Sequence, residues 1–205
     1  MPWPSPAPRL QGDIVTLEPL RPEHEAPLFA VAGDDDVWRW IRGRAPTREE
    51  FAEIVASALA AERANTEQPF ATVLTATGRP IGSTRYLAIR PEHRGLEIGH
   101  TWLAREAWRT GANVEAKLLL LGHAFETLGA ARVEFKTDAR NVRSRDALAA
   151  LPARFEGVLR RHMQTPYGPR DSAYYGVIAE EWPGVRANLL RRLGRLEGDA
   201  PRRTL

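Results

Sequence analysis

The order of elements in this chain predicts an α+β fold. Three observations carry it: helical patterns fall early and again past the middle, strand patterns group into hairpins, and no internal repeat is present. With 205 residues, 43% apolar and 27% charged, the chain fits one domain with a sizeable core.

Residues 1–11 carry four prolines in eight positions, with no charged segment leading into an apolar run. They predict a stiff, disordered tail rather than a signal peptide. From Gly12 to Leu20, Ile14 and Thr16 alternate with Val15 and Leu17, which makes a first strand. Arg21-Pro22 opens a helix, because proline is tolerated in a first turn. Pro27 disturbs that helix, and Gly33-Asp34-Asp35-Asp36 ends it. Thr47 and Glu50 have the spacing of a capping box. Phe51, Ile54, Val55, Ala58 and Leu59 then recur at helical spacing, so a second helix runs to about Asn65.

Phe70 to Thr75 and Arg79 to Ile89 predict a hairpin turning at Thr77-Gly78-Arg79-Pro80, and Glu97 to Leu103 a further strand. Gly111 to Leu128 predicts a long helix with Val114, Leu118, Leu121, Phe125 and Leu128 on one stripe, and Gly129 in the left-handed cap position. Arg132 to Asp138 reads as a buried strand. Asn141 caps a helix running through Leu148 and Leu151 that Pro152 stops. Phe155 to His162 and Ser172 to Ile178 are the last strands, before a helix from Pro183 to Leu193 and a polar tail over residues 194–205.

Cysteine is absent, which excludes thiolate chemistry and a disulfide framework and fits a cytoplasmic protein. His123 and His162 have no partner at metal-ligand spacing, so no metal is expected. No run is apolar enough to span a membrane. The net charge is only +3, and among 29 basic residues Lys117 and Lys136 are the only lysines. That balance does not predict nucleic-acid binding. One arginine–aromatic run, Trp38, Arg39, Trp40, Arg42 and Arg44, fits an RNA- or ribosome-associated surface, a lid over an acceptor site, or plain packing.

The segment with chemical content is EIGHTWLAREAWRTGANVEAKLLLLGHAFETLGA: a strand, a short loop containing glycine, and a long helix. A loop entering a helix presents unpaired backbone N–H groups and the positive end of the dipole, a site suited to phosphate without a lysine. Gly111 allows close approach, Asn113 tolerates unusual backbone angles, and Arg109 adds a charge. A glycine before a helix is also an ordinary cap. The G-x-G-x-x-G and Gly-Lys-Ser/Thr patterns of dinucleotide and P-loop sites are missing.

Taken together with HAFETLGAARVEFKTDARNVRS, FEGVLRRH and RDSAYYGVI, in that order, the segment resembles the GNAT superfamily over roughly Gly12 to Leu193. The likeness is to its ribosomal-protein N-acetyltransferase (RimJ/RimL-type) branch. The resemblance implies a single domain over residues 12–193. It also implies a mixed, mostly antiparallel twisted sheet of about seven strands, flanked by helices and splayed between the family's fourth and fifth strands. It implies acetyl-coenzyme A as cofactor, with Arg109, Thr110, Gly111, Ala112, Asn113 and Val114 around the pyrophosphate. The backbone of Thr101, Trp102 and Leu103 would lie along the pantetheine arm, and Asn141 and Ser144 near its sulfur. Two departures stand out: Trp108 holds the first position of the family's Q/R-x-x-G-x-G/A loop with Asn113 at its end, and Leu151-Pro152 replaces Leu-Gly.

The implied reaction is direct attack of a primary amine on the thioester in a ternary complex. The amine belongs to a protein N-terminus, that of a ribosomal protein included, or to a small molecule. Glu97 is the first candidate base, acting through water; a rim ion pair is its other reading. Strand alternation puts His100 on the opposite face. His162, after FEGVLRR, is a candidate at the acceptor side. Ser144 would hydrogen-bond the leaving thiolate or serve only the first turn of its helix. Tyr174 and Tyr175 are further candidates for that acid role. The competing reading is a catalytically weak coenzyme-binding or protein-interaction module. A homodimer fits such a fold, though no residue pattern here dictates it.

Overall fold

The structure, a computed structural model, describes residues 3–198. Eight strands form one sheet in the order β1-β2-β3-β4-β5-β6-β8-β7. They are β1 (Leu10–Gln11), β2 (Val15–Pro19), β3 (Gln68–Leu74), β4 (Pro80–Arg90), β5 (Gly95–Leu103), β6 (Arg132–Asp138), β7 (Arg154–Thr165) and β8 (Gly168–Ile178). The helices are α1 (Glu25–Ala30), α2 (Asp35–Trp38), α3 (Arg48–Arg63), α4 (Ala112–Gly122), α5 (Val142–Ala150) and α6 (Trp182–Gly198).

Every neighbouring pair is antiparallel except β5 and β6. Those two are parallel and pair only at Gly95–Glu97 with Arg132–Glu134. Beyond that point β5 stays with β4 as far as Leu103, and β6 stays with β8 as far as Asp138. The two strands therefore part, leaving a wedge open between them in the middle of the sheet.

Helices cover both faces. On one, α4, α5 and α6 pack over Tyr86, Leu96, Ile98, Val133 and Phe135; on the other, α1 to α3 pack over Ala71, Val73 and Trp102. Trp38 anchors the second layer, its ring 5.1 Å from that of Trp102 and its Nε1 donating to Ala32 O at 2.7 Å. The Thr47–Glu50 capping box starts α3, and Asn141 Oδ1 accepts from Ser144 N at the start of α5. Gly129 has φ +63, the left-handed cap its position predicts. No helix among the described residues is long and apolar enough to cross a membrane.

Several expectations need correction. The stretch read as a disordered tail lies against the domain from residue 3 onward. Trp3 Nε1 donates to Leu128 O at 2.9 Å, and Leu10–Gln11 pairs with Leu17 and Thr16 as the extra, eighth strand. Residues 1 and 2 lie outside the described residues. At the other end α6 runs to Gly198, past Leu193, and the rest of the polar tail lies outside the described residues. The Asp34–Asp36 run does more than end a helix: Asp34 caps α2 through Asp36 N. The expected stripe of α4 is rotated, since Ala112, Glu115, Ala116, Lys117, Leu120 and Leu121 are buried while Val114 and Leu118 are half-buried. A helix reading KLLLL is apolar nearly all round, so periodicity alone does not choose the face that meets the sheet. A π turn over His123–Thr127 then breaks its regularity.

Glu115 locks α4 to the sheet edge. Its carboxylate, on a residue 5% exposed, accepts from Asp13 N at 3.0 Å, Ile14 N at 2.7 Å and Val15 N at 2.6 Å. Gly12 leaves the space: a Cβ there would stand 2.5 Å from Glu115 Cδ.

Candidate active site

The wedge between β5 and β6 leads to the loop that begins α4. In that loop Arg109 has φ +65 and Gly111 φ +91, both left-handed. Any Cβ strains that conformation, which suits glycine at 111. Thr110 Oγ1 donates to Ala107 O at 2.8 Å and accepts from Ala112 N at 3.4 Å, which folds the loop onto the helix start. Ala112 is buried, Asn113 and Val114 are half-buried, and Arg109 and Thr110 are exposed. The first-turn N–H groups of α4 and its dipole therefore meet a concave backbone, and these residues fit a phosphate.

Trp108, the unexpected residue in this loop, is pinned at both ends. Its Nε1 donates to Leu103 O at 2.9 Å, and the guanidinium groups of Arg143 and Arg105 stand 3.7 Å and 5.0 Å from its ring centroid. Asp36 pairs with Arg105. The aromatic ring thus brings the start of α5, with Asn141 and Ser144, beside the phosphate-type loop. Thr101 Oγ1 lies 2.8 Å from Thr84 Oγ1, while Trp102 and Leu103 bury their side chains in the core.

On the α1–α3 side of the wedge stands a second group. Glu97 is 4% exposed, its Oε2 3.4 Å from Lys136 Nζ. Burial raises its pKa, and the Lys136 charge opposes the rise. Gly99 makes room for it: a Cβ there would stand 2.7 Å from Glu97 Oε1. The expectation that His100 points away from Glu97 fails. Pairing slips by one residue between Arg85↔Gly99 and Ser83↔Trp102, His100 has φ +47, and the bulge interrupts the alternation. Lys136 and Arg170 act on both Glu97 and His100. His100 reaches solvent from a recess, where the crowding of protein around it, then Arg85, push its pKa down to about 4. It is a neutral imidazole at neutral pH.

His162 joins the same group. A left-handed Arg161 and a register break between Leu159 and Met163 turn it toward β8. There its Nδ1 sits 3.1 Å from Ser172 Oγ and its Nε2 3.5 Å from the Tyr174 hydroxyl. Desolvation, then Lys136 and Arg170, lower its pKa. Tyr174 faces this group, whereas Tyr175 is buried on the other side with its hydroxyl accepting from Arg145 Nε. Glu156 pairs with Arg132. The structure thus gathers Glu97, His100, His162 and Tyr174 about Lys136 and Arg170. Ser144 stands apart with the loop group, its backbone N–H committed to the Asn141 cap.

The loop carrying Trp40 and the β7–β8 turn meet as a roof. Tyr167, at the β7–β8 turn, donates its hydroxyl to Trp40 O at 2.9 Å, and the Arg140 guanidinium stands 5.4 Å from the Trp40 ring. A recess of about 290 Å³ lies beside it, lined by Asp36, Arg39, Trp40, Arg140, Asn141 and Arg143 among others. The arginine–aromatic run is divided between core and roof. Trp38 is buried, and Arg42 and Arg44 pair with Glu50, so the run offers no continuous cationic face. Sequence reasoning missed Arg143 and Lys117, because stacking on Trp108 and burial in the wedge are contacts between segments far apart in the chain. Among the described residues no three His, Cys, Asp or Glu gather as metal ligands.

Comparison with known proteins matches this architecture. The acetyltransferase (GNAT) domain model matches residues 15–153. A protein of T. thermophilus assigned as an acetyltransferase is 41% identical, with TM-score 0.83, covering 92% of this chain and 98% of its own. A GCN5-related N-acetyltransferase from Brucella melitensis is 29% identical, with TM-score 0.85, covering 93% of this chain and 86% of its own. Mycobacterium smegmatis RimJ, solved in complex with CoA-disulfide, shares the fold at 24% identity and TM-score 0.77, covering 94% and 96%. Among curated proteins none matches. The parted strands, the left-handed loop on α4 and these likenesses together show that the chain belongs to the GNAT acetyltransferase family and is an N-acetyltransferase.

Proposed function

We propose that the protein transfers the acetyl group of acetyl-coenzyme A to a primary amine, by direct attack in a ternary complex. The observation that carries this reading is the wedge itself: two strands parting at Glu97 and Glu134 above a left-handed loop that opens onto a helix N-terminus. Residues 109–114 would bind the pyrophosphate, the backbone of Thr101 to Leu103 the pantetheine arm, and Asn141 and Ser144 the region of the sulfur. The CoA-disulfide in Mycobacterium smegmatis RimJ, within the same fold, supports the cofactor half of the reading. Acceptors in reach of the Tyr167–Trp40 roof are protein N-termini, a ribosomal protein's among them, and small amines. A cytoplasmic setting suits such acceptors.

Glu97 would take the amine proton, directly or through water, with Lys136 holding its carboxylate in place. An α-amine titrates near ~7.7–8 and a lysine amine near ~10.4, so a lysine-type acceptor depends more on the base. For Glu97→Gln a fall in kcat of about 10²-fold is expected, larger for lysine-type amines than for α-amines. A base must be deprotonated, and this carboxyl's pKa is raised. Activity is therefore lost, as pH falls, at values above the ordinary carboxylate range near ~4.3. A pH–rate profile of wild type and variant checks both points.

Calorimetric titration with acetyl-coenzyme A tests the reading as a whole. Wild type is expected to bind, and Gly111→Trp, which places a large side chain at φ +91 in the loop, to lose binding while staying folded. A folded wild type that does not bind overturns the proposal. Binding without turnover on a broad amine panel favours the coenzyme-binding module instead.

A further inference from the structure

Lys117 is a buried amine that the fold does not explain. It is 8% exposed on α4, and its Nζ donates to Thr101 Oγ1 at 3.1 Å and lies 5.7 Å from the Phe135 ring centroid. Thr101 belongs to β5 and Phe135 to β6, so the amine sits on the α4 side of the wedge, between the two strands where they have parted. Among the described residues it has no carboxylate partner. The chain's other lysine, Lys136, has one in Glu97.

The surroundings from every side are apolar or already committed. On its own helix, Glu115 gives both oxygens to Asp13, Ile14 and Val15. From β4, Tyr86 donates its hydroxyl to Leu120 O, and Thr84 meets Thr101. Val15 and Leu17 from β2, Leu10 from β1 and Leu189 from α6 complete the packing around α4. No nearby charge contributes to the behaviour of the amine; desolvation alone brings its pKa down to about 7. A methionine or leucine at this position would pack without that penalty. A buried amine with no carboxylate beside it among the described residues fits a site whose counter-charge arrives with a substrate.

Resting on the acetyl-transfer reading, we propose that Lys117 is a further catalytic residue, its ε-amino group meeting the sulfur of the acetyl donor from the floor of the wedge. The amine nitrogen of the acceptor bonds to the acetyl carbon, the carbon–sulfur bond breaks, and sulfur leaves with the bonding pair. Lys117 Nζ gives its proton to that sulfur, and the proton shed by the acceptor passes to Glu97. Solvent then returns a proton to Lys117 and takes one from Glu97. Thr101 Oγ1 orients the ε-amino group, and Thr84 fixes Thr101. A group titrating near neutrality matches a thiol near ~8.5 well enough to protonate it in the transition state without holding its own proton too tightly.

The test compares wild type, Lys117→Met and Lys117→Arg in two assays, after circular dichroism confirms that each is folded. In turnover, Lys117→Met is expected to lose about 10²-fold in kcat with KM for acetyl-coenzyme A within about threefold, and Lys117→Arg to recover only part of the loss. In calorimetry without turnover, wild type is expected to prefer coenzyme A over desulfo-coenzyme A increasingly from pH 6 to pH 8, as the thiol ionises beside the amine. Lys117→Met is expected to bind both equally. A Lys117→Met enzyme with wild-type kcat, or with the same preference for coenzyme A, overturns the assignment. If wild type binds neither ligand, acetyl transfer itself is overturned, a different result from binding that ignores position 117.

Discussion

Replacing Glu115 with leucine is expected to destabilise the protein by about 4 kcal/mol, the largest loss among single substitutions near the loop. The carboxylate takes three backbone N–H groups, from Asp13, Ile14 and Val15, at 2.6 to 3.0 Å. Each bond to an ionised acceptor contributes roughly 1.5–3 kcal/mol, and leucine leaves the buried Val15 N–H and the half-buried Ile14 N–H without their acceptor, while Asp13 N–H can turn to water. Burial of the added methyl groups returns only about 1–2 kcal/mol, which keeps the net effect strongly unfavourable. For a domain of this size the melting temperature is expected to fall by roughly 10–15 °C. Thermal and urea unfolding read this directly. A fall of less than about 1 kcal/mol would mean that water replaces the carboxylate at the turn. The same variant is expected to weaken acetyl-coenzyme A binding, because α4 carries the loop on the turn before Glu115.

Lys117→Met is expected to act in the opposite direction on stability. The amine has a pKa of about 7 in the folded chain and about 10.5 when free. Between those values the unfolded chain binds more protons than the folded one, so this group makes stability rise with pH across the window. Below pH 7 both states are protonated and the full penalty of burying the charge is present, on the order of a few kcal/mol. Removing the amine therefore stabilises the protein at pH 6 by that amount, roughly 5–10 °C in melting temperature, with the advantage shrinking toward pH 10. Unfolding curves of both proteins at pH 6 and pH 9.5 check the sign and the slope. Together with the kinetic test, a variant more stable and less active is the expected pattern; a variant less stable at pH 6 would show that the Thr101 hydrogen bond outweighs desolvation.

Reading the sequence recovered the parts of this molecule that are decided locally. The capping box at Thr47 and Glu50, the Asn141 cap and the left-handed Gly129 each depend on residues within a few positions, and each is present. Apart from β1 and α2, the strand and helix order follows the sequence pattern for the same reason, because period and turn chemistry are short-range properties. What stayed hidden depends on partners far along the chain. Two residues in a proline-rich stretch form β1 only because Leu17 and Thr16 are there to pair with them. His100 turns to the side of Glu97 because β4 and β5 slip by one residue, and no pattern within EIGHTWL announces a slip that its partner strand imposes. Lys117 was legible only as one of two lysines, since a helix apolar on nearly every side does not reveal which position the sheet covers. The Tyr167–Trp40 roof joins two loops 127 residues apart.

The placement of the two lysines has a consequence for the durability of the protein. A thioester acetylates neutral amines, and side-chain amines belong to lysine alone, whereas guanidinium stays protonated and inert. Lys117 is buried, off the outer surface, with its amine hydrogen-bonded to Thr101, and Lys136 is held as an ion pair with Glu97. Every other basic side chain apart from histidine is arginine, so the outer surface offers an activated acyl donor almost nothing to modify. The protein carries its surface positive charge in a form resistant to the adventitious acylation that accompanies prolonged exposure to such donors, and its isoelectric point and solubility are thereby insulated from such reagents.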